Sequence, residues 1–215
     1  VTTPAPFIPT LEVTASELGK RFGREWILRG LSEQLRTEET VGITGRNGSG
    51  KSTLLRLLCG QLSSSRGGVS WKIDGEDINI SQWYQHVSWS GPYLEVVEEL
   101  TVEEILAFNF KFKPLRPGLN LAELPKILGL EKVRRRPLRD CSSGMRQRVV
   151  LGLALFAATP LLLLDEPTVT LDEAAKAWFQ EQLMLARPGR LVVIASNDAD
   201  DLNQCTRVIT LKSGN

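Results

Sequence analysis

The stretch Gly45-Arg46-Asn47-Gly48-Ser49-Gly50-Lys51-Ser52 satisfies the spacing GxxxxGK[ST]. Before it, Thr40 to Thr44 (TVGIT) is a short apolar run of strand type. After it, Lys51 to Cys59 places Leu54, Leu55, Leu57 and Leu58 on the core side of a helix. Glycines between a strand and a helix let backbone N–H groups turn inward around phosphate oxygens, at a helix end that favours negative charge. Gly45, Asn47, Gly48, Ser49, Gly50, Lys51, Ser52 and Thr53 are therefore expected to hold the phosphates of ATP. Lys51 would reach the β- and γ-phosphates and the Ser52 hydroxyl would ligate Mg²⁺. A chance glycine turn with an exposed lysine is the competing reading, and the flanking strand and helix weigh against it.

The chain is 215 residues long, with 26 Lys+Arg against 25 Asp+Glu, a formal charge of +1. A hydrophobic fraction of 42% with 24% charged residues excludes a disordered or fibrous chain. Near-neutral charge argues against a nucleic-acid partner. The longest uncharged apolar stretch, Val149 to Leu164, is broken by Thr159 and Pro160 and is too short for a membrane span. Cys59, Cys141 and Cys205 form no CxxC pair, which suits a reducing compartment rather than a disulfide framework or zinc site. Residues 1–10 (VTTPAPFIPT), with three prolines, read as a loose tail.

Working outward, Leu11–Thr14, Trp26–Leu28 and Leu31–Arg36 read as short antiparallel strands with turns at Gly19, Gly23 and Gly30. Gly67–Ile73 reads as another strand, and Trp71, Trp83 and Trp89 lie in strand-like context. Thr101 to about Gly129 is helical in pattern, interrupted by a loop at Pro114–Gly118. Ser143–Ala158 and Asp172–Ala186 read as helices. Leu161–Leu164, Leu191–Ser196 and Arg207–Leu211 complete the strands. The alternation predicts an α/β fold, a P-loop NTPase core with a mainly parallel sheet plus an N-terminal antiparallel β subdomain.

Leu161-Leu162-Leu163-Leu164-Asp165-Glu166 is an apolar strand ending in two acids. Such a strand delivers Asp165 to its carboxyl end, where ligands bind in open α/β sheets. Asp165 would hold Mg²⁺, and Glu166 would act as general base toward the attacking water. Alone, the pair is equally an acidic cap on the following helix.

Cys141-Ser142-Ser143-Gly144-Met145-Arg146-Gln147-Arg148 resembles the LSGGQ-x-QR signature of ABC-type ATPases, in an SSGM variant. The resemblance runs from Leu11 to Gly214 and implies one ABC ATPase domain over 11–215, with a small helical lobe at about 93–142. In that family the signature of one subunit closes over the γ-phosphate held by the other, which implies roles for Ser142 and Gly144. Cys141, Ser143 and Met145 depart from the family pattern, and Ser142 also suits a helix N-cap. The resemblance places Phe22 against adenine, although strand-packing core is the alternative, and likens Thr170-Leu171-Asp172 to the loop that links two nucleotide sites.

Two family positions do not match. Asn197, in Ala195-Ser196-Asn197-Asp198, stands where the family has a switch histidine, and the single histidine, His86, lies elsewhere. Aligning on Leu100-Thr101 puts Pro92 where the family has a glutamine, and Gln85 comes too early. Proline has no side-chain amide with which to orient Mg²⁺ or water. Slow ATPase activity in the isolated protein is the expectation.

The resemblance implies an ATP-hydrolysing subunit that powers integral membrane permease subunits on separate chains. It would dimerise head to tail, as a homodimer or heterodimer, and attach peripherally to the cytoplasmic face of the membrane. The docking surface would include Tyr93, Leu94, Val96, Val97, Phe108, Phe110 and Phe112. Two other readings stay open: an ABC ATPase of an assembly system, such as an iron–sulfur scaffold partner, and a degenerate ATP-binding regulatory subunit. The basic run from Glu131 to Arg148 lacks interleaved aromatics and reads as a solvated, phosphate-facing surface rather than a lipid or nucleic-acid site.

Overall fold

Nine strands and six α-helices follow one another among the described residues. In chain order they are β1 (Leu11–Phe22), β2 (Glu25–Arg36), β3 (Thr40–Thr44), α1 (Lys51–Leu58), β4 (Arg66–Ile73), β5 (Glu76–Asp77) and β6 (Val87–Ser90). Then come α2 (Val102–Asn109), α3 (Leu124–Ile127), α4 (Ser143–Leu155), β7 (Leu161–Asp165), α5 (Glu173–Ala186), β8 (Leu191–Ala195), α6 (Ala199–Leu202) and β9 (Arg207–Thr210). The computed structural model describes residues 8–92 and 94–212. Much of the expected tail and Tyr93 therefore lie outside the described residues. Thr10, the last residue of that tail, is tied down, its N–H and hydroxyl each donating to Asp74 Oδ1 at 2.9 Å.

The strands form an antiparallel sheet of order β2-β1-β4-β5 and a parallel sheet of order β6-β7-β8-β3-β9. Parallel strands buried on both faces must be apolar throughout, and β7 and β8 show how the side chains divide. Leu161, Leu163, Leu191 and Val193 join a core with the antiparallel sheet and α1, whereas Leu162, Leu164, Val192 and Ile194 face α4 and α5. Every residue of β7 and β8 is buried. The carboxyl ends of β3, β7 and β8 are thereby held side by side, in registers that include Asp165 opposite Ala195.

Three local expectations are corrected. The N-terminal segment is one long hairpin with a single turn at Gly23-Arg24. Gly19 and Gly30 lie within its strands, where the pairing shifts register and Gly30 takes φ +64°. Glycine there marks bulges rather than turns. Trp83 lies in a 3₁₀ turn, Ile80–Gln85, and stacks on Trp71 with ring centroids 4.5 Å apart. The expected helix after Thr101 is α-helical only to Asn109 and continues as turns to the Pro114–Gly118 loop, where Arg116 is held by the Leu155 and Leu185 carbonyls; beyond it only Leu124–Ile127 is α-helical.

Candidate nucleotide site

The phosphate loop joins β3 to α1, and its backbone admits only glycine at two points. Gly45 takes φ +152°, and a Cβ there would lie 2.6 Å from Ser49 Oγ and 2.7 Å from the Leu211 carbonyl. Gly50 takes φ +97°, and a Cβ there would meet Ile27 Cγ2 at 2.7 Å. Gly50 is also the N-cap of α1, and no side chain caps that helix end. Its free N–H groups and the helix dipole together make an anion site. Lys51 is only 7% exposed, with Nζ 3.1 Å from the Gly45 carbonyl oxygen and 3.4 Å from Glu166 Oε1.

β7 carries Asp165 to the same edge. Its carboxyl is 1% exposed and neither oxygen has a hydrogen-bond partner. Burial, reinforced by the neighbouring Glu166 charge, pushes its pKa up, while the nearby Ser52 hydroxyl, Lys51 and Arg56 pull it down; burial wins. Two orphaned acceptors beside the Ser52 hydroxyl form an oxygen donor set for a hard cation. Glu166 adopts φ +48° and is anchored by its N–H to the Ala195 carbonyl at 2.8 Å. A non-glycine residue held there stores roughly 1–3 kcal/mol of strain, a cost met where geometry matters for function.

Phe22, Asn47, Lys51, Ser52, Pro92 and Glu166 line one cleft, together with Gly48, Ser49, Gly50 and Thr53. Phe22 is 51% exposed at its mouth, with Lys20 Nζ 5.1 Å from the ring centroid, so the strand-packing alternative is overturned. Pro92 reaches the cleft, as the alignment on Leu100-Thr101 anticipates. Asn197 touches the phosphate loop itself. Its Oδ1 accepts from the Gly45 N–H at 3.3 Å and the Thr44 hydroxyl at 3.4 Å, and its Nδ2 donates to Asn47 Oδ1 at 3.1 Å.

Ser142 and Gly144 are not in that cleft. They line another, with Met145, Arg148, Thr170 and Asp172. Ser142 caps α4 by accepting from the Met145 N–H at 3.3 Å, and Asp172 caps α5 by accepting from the Ala175 N–H at 2.8 Å. Much of the basic run nearby is spent in surface ion pairs: Arg134 and Arg135 with Glu103, Arg139 with Asp140, and Arg146 with Glu98. Sequence reasoning missed Ser196 and Asp201. Both are buried behind Glu166, with the Ser196 hydroxyl 2.7 Å from Asp201 Oδ2. A serine and an aspartate five residues apart around a short helix carry no motif, so only the fold brings them to light.

A glycine loop between strand and helix, a buried lysine and an acidic pair ending the neighbouring strand define a P-loop nucleoside triphosphatase. The ABC transporter family model matches residues 28–169, and the chain belongs to that family. It is 37% identical over 175 residues to the cytochrome c biogenesis ATP-binding export protein CcmA of Agrobacterium fabrum, covering 80% of this chain and 81% of that protein. It is 35% identical to the zinc import ATP-binding protein ZnuC of Cereibacter sphaeroides, covering 86% of this chain and 72% of that one. Its fold matches a dimeric ATP-binding cassette in a post-hydrolysis state bound to ADP and Pi, with TM-score 0.79 and 23% identity over 93% of this chain and 94% of that one. The chain is an ATP-binding, ATP-hydrolysing subunit that powers transport. Among the described residues, no helix is long and apolar enough to cross a membrane.

Proposed function

We propose that this chain binds MgATP in the cleft around Lys51 and completes that site with Ser142 and Gly144 of a second copy, head to tail. The observation that carries the reading is the division of the site: phosphate loop and acids line one cleft, and the signature lines another that shares no residue with it. A two-fold pair closes both sites at once, each with donors the other lacks.

Within the cleft each side chain has a task. The exposed face of Phe22 offers adenine a stacking partner. Lys51, now shared between Gly45 and Glu166, is the cation for which the β- and γ-phosphates compete. Asp165 and Ser52 would hold Mg²⁺, which fits the orphaned Asp165 oxygens; when bound, the ion neutralises charge on the phosphate oxygens. Glu166 accepts the proton of the attacking water. Ser142, already oriented by its cap, and the start of α4 face the partner's γ-phosphate. Asn197 replaces the switch histidine in place but is engaged with the loop, and Pro92 brings no amide, so the isolated protein turns over slowly.

Leu94, Val97 and Phe108 are exposed along a groove of about 340 Å³ beside β6 and α2. An apolar groove of this kind suits a permease on a separate chain, which would hold this subunit at the cytoplasmic face of the membrane. Val96 also lines the groove; it and Phe110 are half-buried and packed against the core, and Phe112 is exposed. The CcmA-type relatives support export in cytochrome c biogenesis as the process served.

Sedimentation of Glu166→Gln in saturating MgATP tests the reading, with a nucleotide-dependent dimer expected. A monomer with ATP demonstrably bound defeats the homodimer. Restoration of c-type cytochromes in a strain lacking the gene, by wild type but not by Glu166→Gln, tests the process.

A further inference from the structure

Asp201 lies within the short helix α6 and is 1% exposed, behind the phosphate cleft rather than in it. Its Oδ2 accepts from the Ser196 hydroxyl at 2.7 Å, the length of a charge-assisted O–H···O⁻ bond, and its Oδ1 has no hydrogen-bond partner. Ser196 Oγ in turn accepts from the Asp198 N–H at 3.0 Å and lies 3.4 Å from Glu166 Oε2. A hydroxyl has one proton to give. The two distances decide where it goes: the short contact is to Asp201, and the contact to Glu166 is too long to compete.

We propose that Asp201 is a positioning residue for hydrolysis: by taking the Ser196 proton, it keeps Glu166 Oε2 free of a hydrogen-bond donor and open to the attacking water. A carboxylate that accepts a hydrogen bond is a weaker base than one that does not. The remaining contacts fit this division. Glu166 Oε1 faces Lys51 at 3.4 Å, its backbone is pinned at φ +48°, and Oε2 points toward Ser196. The Ser196 and Thr168 hydroxyls favour the charged form of Asp201, and the nearby acids Asp198 and Glu166 oppose it. Burial of an acid beside two others carries a standing cost, and the fixed Ser196 proton is what the arrangement returns.

This inference rests on Glu166 as the base, and the test separates the two ideas. In Asp201→Asn the acceptor becomes a neutral amide oxygen, weaker than a carboxylate, so the charged Glu166 now draws the Ser196 proton. Steady-state ATPase is expected to fall about tenfold or more, the scale of a hydrogen bond to a charged group, with ATP affinity by calorimetry unchanged. In Ser196→Ala there is no proton to redirect, so turnover stays within about threefold of wild type and adding Asp201→Asn costs nothing further. A merely structural Asp201 gives the same loss in both backgrounds and overturns the proposal, as does a fully active Asp201→Asn. If Asp201→Asn fails to fold, Ser196→Ala alone decides, because a loss as large as that of Glu166→Gln makes the hydroxyl itself a participant and also overturns it. Full turnover in Glu166→Gln defeats the base assignment instead, whatever Asp201 does.

Discussion

Asn197→His should speed the isolated enzyme about fivefold, and the reason lies in what holds the wild-type amide. Asn197 donates to Asn47 Oδ1 at 3.1 Å and accepts from Gly45 N–H at 3.3 Å. To meet a γ-phosphate the amide N–H must leave Asn47, giving up a neutral hydrogen bond of about 1 kcal/mol before it gains a charge-assisted one of roughly 1.5–3 kcal/mol. A longer imidazole, not tied to Asn47, keeps that full gain. The difference is about 1 kcal/mol in the transition state, or ~5-fold in turnover. Because Pro92 still offers no amide, the variant should not recover everything. The same substitution removes exposed loop contacts, so the melting temperature should fall by ~2–4 °C for each 1 kcal/mol lost. Steady-state ATPase at several enzyme concentrations, with KM and kcat resolved, is the assay. Unchanged or lower kcat in Asn197→His at equal ATP affinity would refute the argument. Asn197→Ala as active as wild type would show that the amide contributes nothing to lose.

Lys51→Ala should weaken ATP binding about 100-fold or more, since a buried ammonium aimed at several phosphate oxygens is removed; calorimetry showing unchanged affinity would sink the phosphate-loop assignment. Asp165→Asn should stabilise the nucleotide-free protein by about 1 kcal/mol, or ~2–4 °C, by neutralising a buried carboxylate with no hydrogen-bond partner. The same variant should lose the Mg²⁺ dependence of ATP affinity. A lower melting temperature in nucleotide-free buffer would mean that the charge is better compensated than its orphaned oxygens indicate.

What the sequence made legible is what strict spacing encodes. Gly45 to Ser52 can be read as a phosphate loop because Gly45 and Gly50 take φ +152° and +97°, and a Cβ on either would meet a neighbouring atom at 2.6–2.7 Å. Asp165 can be read because four consecutive leucines, all buried, force its strand into the sheet interior, between β6 and β8. Phe22 could not be decided in advance, since an aromatic ending a strand suits a core as well as a mouth, and only its 51% exposure separates the two. At Gly19 and Gly30 a bulge and a turn look alike in sequence, because glycine signals broken regularity without saying how the chain continues. Asn197 shows the deepest gap. Its substitution for histidine is plain in the sequence, but its chemical meaning depends on Asn47, 150 residues away. Ser196 and Asp201 lie beyond any motif for the same reason: their bearing on Glu166 exists only once β7 and β8 are paired side by side, with Asp165 opposite Ala195. The phosphate loop is local in the chain, so it can be read there. The fine control of the base is distributed over three segments, and it becomes chemistry only when the parallel sheet brings them into register.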